Sequence, residues 1–162
     1  MRRQRQEHGI APVYDKNSEI LILGSFPSVA SRAEGFFYGH PRNRFWRVLS
    51  AVLGESVPQT VDEKKSLLLR GKVALFDVLA ECEIEGSADA SIGKALPNDL
   101  SPILSGSRIR KIFVNGKTAA RLYQKYLVSK TGIPATVLPS TSPANAAWSE
   151  EKLIAAWSIL LK

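Results

Sequence analysis

Four short stretches of this chain each hold a near-continuous apolar run: EILILG (19–24), KVALFDV (72–78), RKIFVNG (110–116) and PATVLP (134–139). Each is too short for a helix and is bounded by turn residues, so each predicts a buried strand. Between them the apolar positions take helical spacing. Phe45, Trp46, Leu49, Val52 and Leu53 predict a helix over 43–53 that Gly54 stops. VDEKKSLLLRG (61–71) predicts a second, with Asp62 as its N-cap and Gly71 at its end. KTAARLYQKYLVSK (117–130) predicts a third that turns Ala120, Tyr123 and Leu127 inward. A last helix is expected from Ser149, with Glu150 and Glu151 placed well against the helix dipole and Leu153, Trp157, Leu160 and Leu161 buried. SPILSG adds one helical turn, and 25–41 and 81–100 read as long loops.

Near-continuous apolar strands alternating with helices mark a parallel sheet covered on both faces, an α/β fold with right-handed crossovers. Ligands bind such sheets just beyond the carboxyl ends of the strands. Those ends are Gly24-Ser25, Phe76-Asp77, Asn115-Gly116 and Pro139-Ser140, and the long irregular segments follow them.

Charge adds a partner to this picture. The 162 residues carry a formal net charge of +7, which favours an anionic partner, nucleic acid first. The first 16 residues are expected to form a basic, flexible tail whose Arg2, Arg3 and Arg5 are either frayed or touch phosphate, with one domain over 17–162. The amino end has no apolar core of a secretory signal, and no run is long enough to span a membrane. One cysteine, Cys82, excludes an internal disulfide and a Cys-ligated metal or iron–sulfur site, so a cytoplasmic location is expected.

Several chemistries fail on inspection. VNGKT ends like a phosphate-binding loop, but Lys111 stands where its first glycine belongs. GSFPS lacks the later glycines of a dinucleotide fingerprint. Two histidines are too few for a convincing zinc site, and no Ser-His-Asp order can be defended. What remains is FYGHPRNRFW (37–46) beside further amides and hydroxyls. Neutral amides place water but remove no proton, so they suit a reaction that makes its own electrophile. Hydrolysis of an N-glycosidic bond is one: the sugar becomes an oxocarbenium ion as the base departs, and fixed donors stabilise the leaving anion.

LILGSFPS, GFFYGHPRNRFW, ALFDVLAECEIEGSADASI, PNDL, KIFVNG and LPSTSPANA together resemble the uracil-DNA glycosylase superfamily, in particular its hypoxanthine-DNA (DNA-deoxyinosine) glycosylase branch, from about Glu19 to Lys162. The resemblance implies a three-layer α/β/α sandwich around a four-stranded parallel sheet. It also implies a metal-free, cofactor-free, monofunctional glycosylase, a monomer that acts on DNA containing a deaminated base. The mismatch-specific uracil branch carries a water-holding Asn where this chain has Phe26, which argues against robust uracil excision. The resemblance instead gives water and sugar positioning to Asn43, an aromatic wall to Tyr38, and DNA contact around the extruded nucleotide to Ser140, Ser142 and Asn145.

Other roles stay open between two readings. His40 either stabilises charge or touches a phosphate, or else shapes the turn before Pro41. Arg42, Arg44 and Lys117 suit phosphate or a solvated face. Ser25, Phe26, Asp77, Ser91, Asn98 and Asn115 are base-binding candidates, with turns and caps the competing role. Glu81, Glu83 and Glu85 are expected in a solvated loop. A uracil- or xanthine-preferring enzyme of the same fold, or a non-catalytic module that binds damaged DNA or a nucleotide, are the alternatives.

Overall fold

The computed structural model describes residues 3–162. Its main sheet contains β2 (Ile20–Gly24), β3 (Val73–Asp77), β6 (Lys111–Asn115) and β7 (Ala135–Leu138). The order is β3-β2-β6-β7, and every pair is parallel. These are the four strands that the apolar runs predict. β2 and β3 are buried almost throughout because both faces of the sheet are covered. α3 (Val61–Arg70) packs against β3, and α5 (Lys117–Tyr126) against β6 and β7. α2 (Phe45–Leu53) packs on α7 (Glu150–Trp157), where Phe45 and Trp157 meet edge to face at 5.7 Å. Since β3 and β6 flank β2 on opposite sides, the sheet switches direction beside β2, the usual seat of a ligand.

Several local expectations shift. Thr60, not Asp62, caps α3: its hydroxyl accepts from the Glu63 N–H at 3.1 Å. Ser149 caps α7 as expected, but the chain turns to a 3-10 helix over Ser158–Leu161, and Leu161 is exposed. The third predicted helix breaks at Leu127 into α5 and α6 (Val128–Thr131). α1 (Val29–Glu34) forms inside the first long loop, capped by the Ser28 hydroxyl, and α4 (Ser101–Ser105) is the expected single turn.

The largest corrections concern the expected tail and the polar loop 81–100. Arg2 lies outside the described residues. The segment after it is packed: β1 (Gln4–Glu7) pairs antiparallel with β4 (Leu79–Ile84), which pairs with β5 (Gly93–Pro97). Glu81 and Glu83 therefore sit in a strand, Glu81 bonded to Arg5 at 2.6 Å and Glu83 within 3.6 Å of Lys94. Downstream, Val13 and Leu75 exchange backbone hydrogen bonds of 3.0 and 2.9 Å, closing the outer edge of β3. The QRQE pattern hides this, because the strand is held by its partner rather than by an apolar face of its own.

Candidate active site

A cleft of about 300 Å³ opens beyond the ends of all four parallel strands. Gly24 and Ser25 follow β2, Asp77 ends β3, Asn115 ends β6, and Ser140, Thr141 and Ser142 follow β7; Phe26, Tyr38, His40 and Asn43 close it from the first loop. The floor is tight at Gly24. A Cβ there would lie 2.4 Å from Asp77 Oδ1 and 2.8 Å from Tyr38 Oη, so only glycine lets both oxygens converge.

A chain of hydrogen bonds fixes the amides. Asn115 Oδ1 accepts from the Thr141 backbone N–H at 3.1 Å, which leaves its Nδ2 to donate to Thr141 Oγ1 at 3.0 Å and to Tyr38 Oη at 3.1 Å. Because an amide oxygen only accepts, the Thr141 hydroxyl gives its proton to Asn43 Oδ1 at 2.8 Å. Asn43 Oδ1 also accepts from the Phe45 N–H at 3.0 Å, at the mouth of α2. A backbone N–H only donates, so neither amide can turn over. Among the described residues nothing accepts from Asn43 Nδ2, and this is the group Asn43 offers to the cleft.

Tyr38 has a left-handed backbone, φ 53°, rare for a non-glycine residue and of the kind found at functional sites. One face of its ring is stacked on Phe45, centroids 4.0 Å apart and planes within 9°. Burial, then the negative Asp77, pushes its phenol above the ordinary value, so the hydroxyl keeps its proton. Asn115 already donates to that oxygen, and the proton has no protein acceptor among the described residues. His40 is exposed; its Nδ1 accepts from the Arg42 N–H at 3.1 Å, so Nε2 carries the proton of the neutral ring.

Asp77 is 4% exposed. Its Oδ2 lies 2.8 Å from His8 Nε2, a residue of the N-terminal segment, while Oδ1 faces Gly24 and the cleft. A second acid, Asp89, turns its carboxyl onto the Ser25 hydroxyl, which donates at 2.9 Å. Burial pushes this carboxyl above the ordinary carboxylate value, with the Ser25 bond opposing.

Several of the expected contacts are redirected or left at the margin. Arg44 does not face phosphate: its guanidinium donates to the Ser142, Asn145 and Trp148 carbonyls and so holds the loop after β7 in shape. Asn145 folds its amide onto the Ser140 carbonyl at 2.9 Å, outside the cleft. Ser91 is bound up in its own turn, accepting from the Glu85 N–H and donating to the Ala88 carbonyl. Asn98 donates to the Asp77 and Leu79 carbonyls and braces the β3–β4 junction from behind. Each of these polar groups is spent on backbone that a loop leaves unpaired. Lys117 is exposed at the start of α5, outside the cleft lining, as is Arg42 beside His40. The other candidates, Ser25, Phe26, Tyr38, His40, Asn43, Asp77, Asn115, Ser140 and Ser142, are brought together. Thr141, Asp89 and His8 were missed. Thr141 sits inside STSPANA and its type gave no signal, and no spacing links His8 to Asp77 across 69 positions.

No helix among the described residues is long and apolar enough to cross a membrane. Residues 11–161 match the pattern of the Uracil DNA glycosylase superfamily. The chain is 37% identical over 148 residues to a hypoxanthine DNA glycosylase of Methanosarcina acetivorans, covering 90% of this chain and 92% of that protein. It is 35% identical over 143 residues to a hypoxanthine DNA glycosylase of Methanosarcina barkeri, covering 86% and 89%. The solution NMR structure of a candidate uracil DNA glycosylase from M. acetivorans superposes with a TM-score of 0.80 at 34% identity, covering 98% of this chain and all of that one. A match over residues 11–161, which takes in all four parallel strands and every loop of the cleft, leaves one conclusion: the chain belongs to the uracil DNA glycosylase superfamily.

Proposed function

We propose that this protein is a monofunctional DNA glycosylase that hydrolyses the N-glycosidic bond of a deaminated base, hypoxanthine first, and leaves an abasic site. The observation that carries the base preference is the pairing above Gly24 of an acceptor, Asp77 Oδ1, with a hydroxyl donor, Tyr38 Oη. Deamination of adenine turns an acceptor ring nitrogen into an N–H and an amine into a carbonyl. An acceptor beside a donor matches the product and opposes adenine, whose amine and ring lone pair are reversed. The names of the two Methanosarcina relatives support the same substrate.

The rest of the cleft suits the chemistry. The base is extruded into a space of about 300 Å³, room for one base rather than a pair. The open face of Tyr38 serves as its wall, backed by Phe45. As the bond from the base nitrogen to the anomeric carbon breaks, the sugar gains positive charge. Water then adds its oxygen to that carbon, and its proton leaves with the base in the net reaction. Asn43 Nδ2 holds that water or the sugar by position; its amide takes no proton. His40 offers Nε2–H to developing negative charge or to a phosphate. Ser140 and Ser142 border the extruded nucleotide, and Arg42 and Lys117 contribute charge on the rim. This reading takes the chain as a metal-free cytoplasmic monomer.

Uracil presents the same N–H and carbonyl pair, so the Asp77–Tyr38 arrangement favours it as the second substrate. Guanine shares the edge too, but its pair with cytosine resists extrusion more than a mismatched base does. The test is a panel of duplexes, each with one hypoxanthine, uracil, xanthine or normal base. Release of hypoxanthine fastest supports the proposal; salt-sensitive binding without any abasic product would replace it with a binding module.

A further inference from the structure

The N-terminal segment sends one side chain to the base pocket, from behind. His8 is 6% exposed and wedged among Phe26, Phe37 and Phe76, with ring centroids 4.9–6.1 Å away. Its Nδ1 accepts from the Ile10 N–H at 3.2 Å. Every imidazole carries at least one N–H, and a backbone N–H cannot accept, so the proton must sit on Nε2. Nε2–H therefore donates to Asp77 Oδ2 at 2.8 Å. The loop 8–10 is itself tied down, because the His8 N–H donates to the Ala80 carbonyl at 2.7 Å.

We infer that His8 is a positioning residue that fixes the polarity of position 77, holding one carboxylate oxygen so that the other always presents an acceptor to the base. This rests on the proposed reading of a lactam edge by Asp77, and it adds a consequence that packing alone would not produce. With Asp77→Asn, His8 captures the amide oxygen, since Nε2–H needs an acceptor. The amide NH2 is then forced into the place of Oδ1 and faces the N–H of hypoxanthine, donor against donor. The single substitution inverts the site, although an amide free to rotate would read hypoxanthine well. Removing the His8 donor frees that rotation. Tyr38 and Asp89 are the other titratable groups near Asp77, and neither donates to it.

The experiment is single-turnover excision on a duplex with one deoxyinosine, comparing the wild type with Asp77→Asn, His8→Leu, His8→Gln and the two double variants. Asp77→Asn is expected to lose on the order of a hundredfold in rate, with a buried polar mismatch added to a lost hydrogen bond. His8→Leu/Asp77→Asn is expected to recover about tenfold over Asp77→Asn. His8→Gln alone keeps a donor and stays within a few fold of the wild type. If the Leu variants do not fold, His8→Gln/Asp77→Asn carries the same expectation, since a Gln amide pairs with the amide introduced at position 77 in either orientation. Double variants no faster than Asp77→Asn would overturn the inference, as would a 15N spectrum of the wild type showing His8 protonated on Nδ1. Failure of the functional reading looks different: the wild type itself would release no hypoxanthine, while Asp77→Asn at the wild-type rate would remove Asp77 from base recognition.

Discussion

Thr141 is fully buried and names nothing by its type, yet its hydroxyl is the link between the two amides of the cleft. Thr141→Val keeps the shape and deletes that link. Asn43 Oδ1 then keeps one of its two donors, from Phe45, and Asn115 Nδ2 keeps one of its two acceptors, on Tyr38. A buried polar group left short of a partner costs about 1–3 kcal/mol, and both amides here retain a bond, so roughly 1–2 kcal/mol is expected. In a domain of this size that lowers the melting temperature by about 2–4 °C per kcal/mol. The consequence for activity is larger than for folding, because an Asn43 held at one point can swing its Nδ2 away from the sugar. A fall of about tenfold in the single-turnover rate is expected, with affinity for DNA little changed and Thr141→Ser close to wild type. Rapid-quench excision on an inosine duplex, alongside calorimetric melting, reads both. If Thr141→Val melts lower but excises at the wild-type rate, the amide chain is scaffolding and does not position Asn43.

Other perturbations separate chemistry from support. Asn43→Ala should abolish excision and leave binding to inosine DNA intact, as read by gel shift against product formation. Arg44→Ala strips a guanidinium from three carbonyls and should cost roughly 2–4 kcal/mol, whereas Arg42→Ala should leave stability unchanged and lower the salt slope of DNA binding by about one. The Tyr38 phenol is held above its ordinary value of 10.0, so above that pH the unfolded chain loses a proton the folded chain keeps. Stability should therefore fall as pH rises past about 10, and Tyr38→Phe should flatten that limb in urea titrations. Burial pushes the Cys82 thiol up to about 11, so iodoacetamide at pH 8 should label it only after unfolding.

The sheet was legible because β2, β3 and the middle of β6 are buried and so read as apolar runs, whichever residues fill them; β7, at the edge with Thr136 and Val137 exposed, was marked by the prolines that bound it. The smaller sheet was not. Gln4–Glu7 and Leu79–Ile84 carry polar side chains at most outward positions, and their order comes from pairing with each other. The cleft was legible as a place, because parallel strands end on one side and long loops follow. Within it, residues with a specific local motif, such as Asn43 and Tyr38, were found where the motif put them. Residues acting through long-range pairing were not. Arg44 looked like a phosphate ligand because sequence shows its charge and hides the carbonyls that occupy it. His8 lay in a segment read as a tail, and only the tertiary fold carries it to Asp77.

The central claim is that this cleft hydrolyses the bond between hypoxanthine and deoxyribose with Asn43 as the positioned amide. Its most direct test is to incubate the protein with a duplex carrying one deoxyinosine and quantify free base by chromatography beside alkali-labile sites in the strand. The account predicts hypoxanthine and abasic sites in equal amounts from the wild type and neither from Asn43→Ala; tight binding by the wild type with the glycosidic bond intact would contradict it.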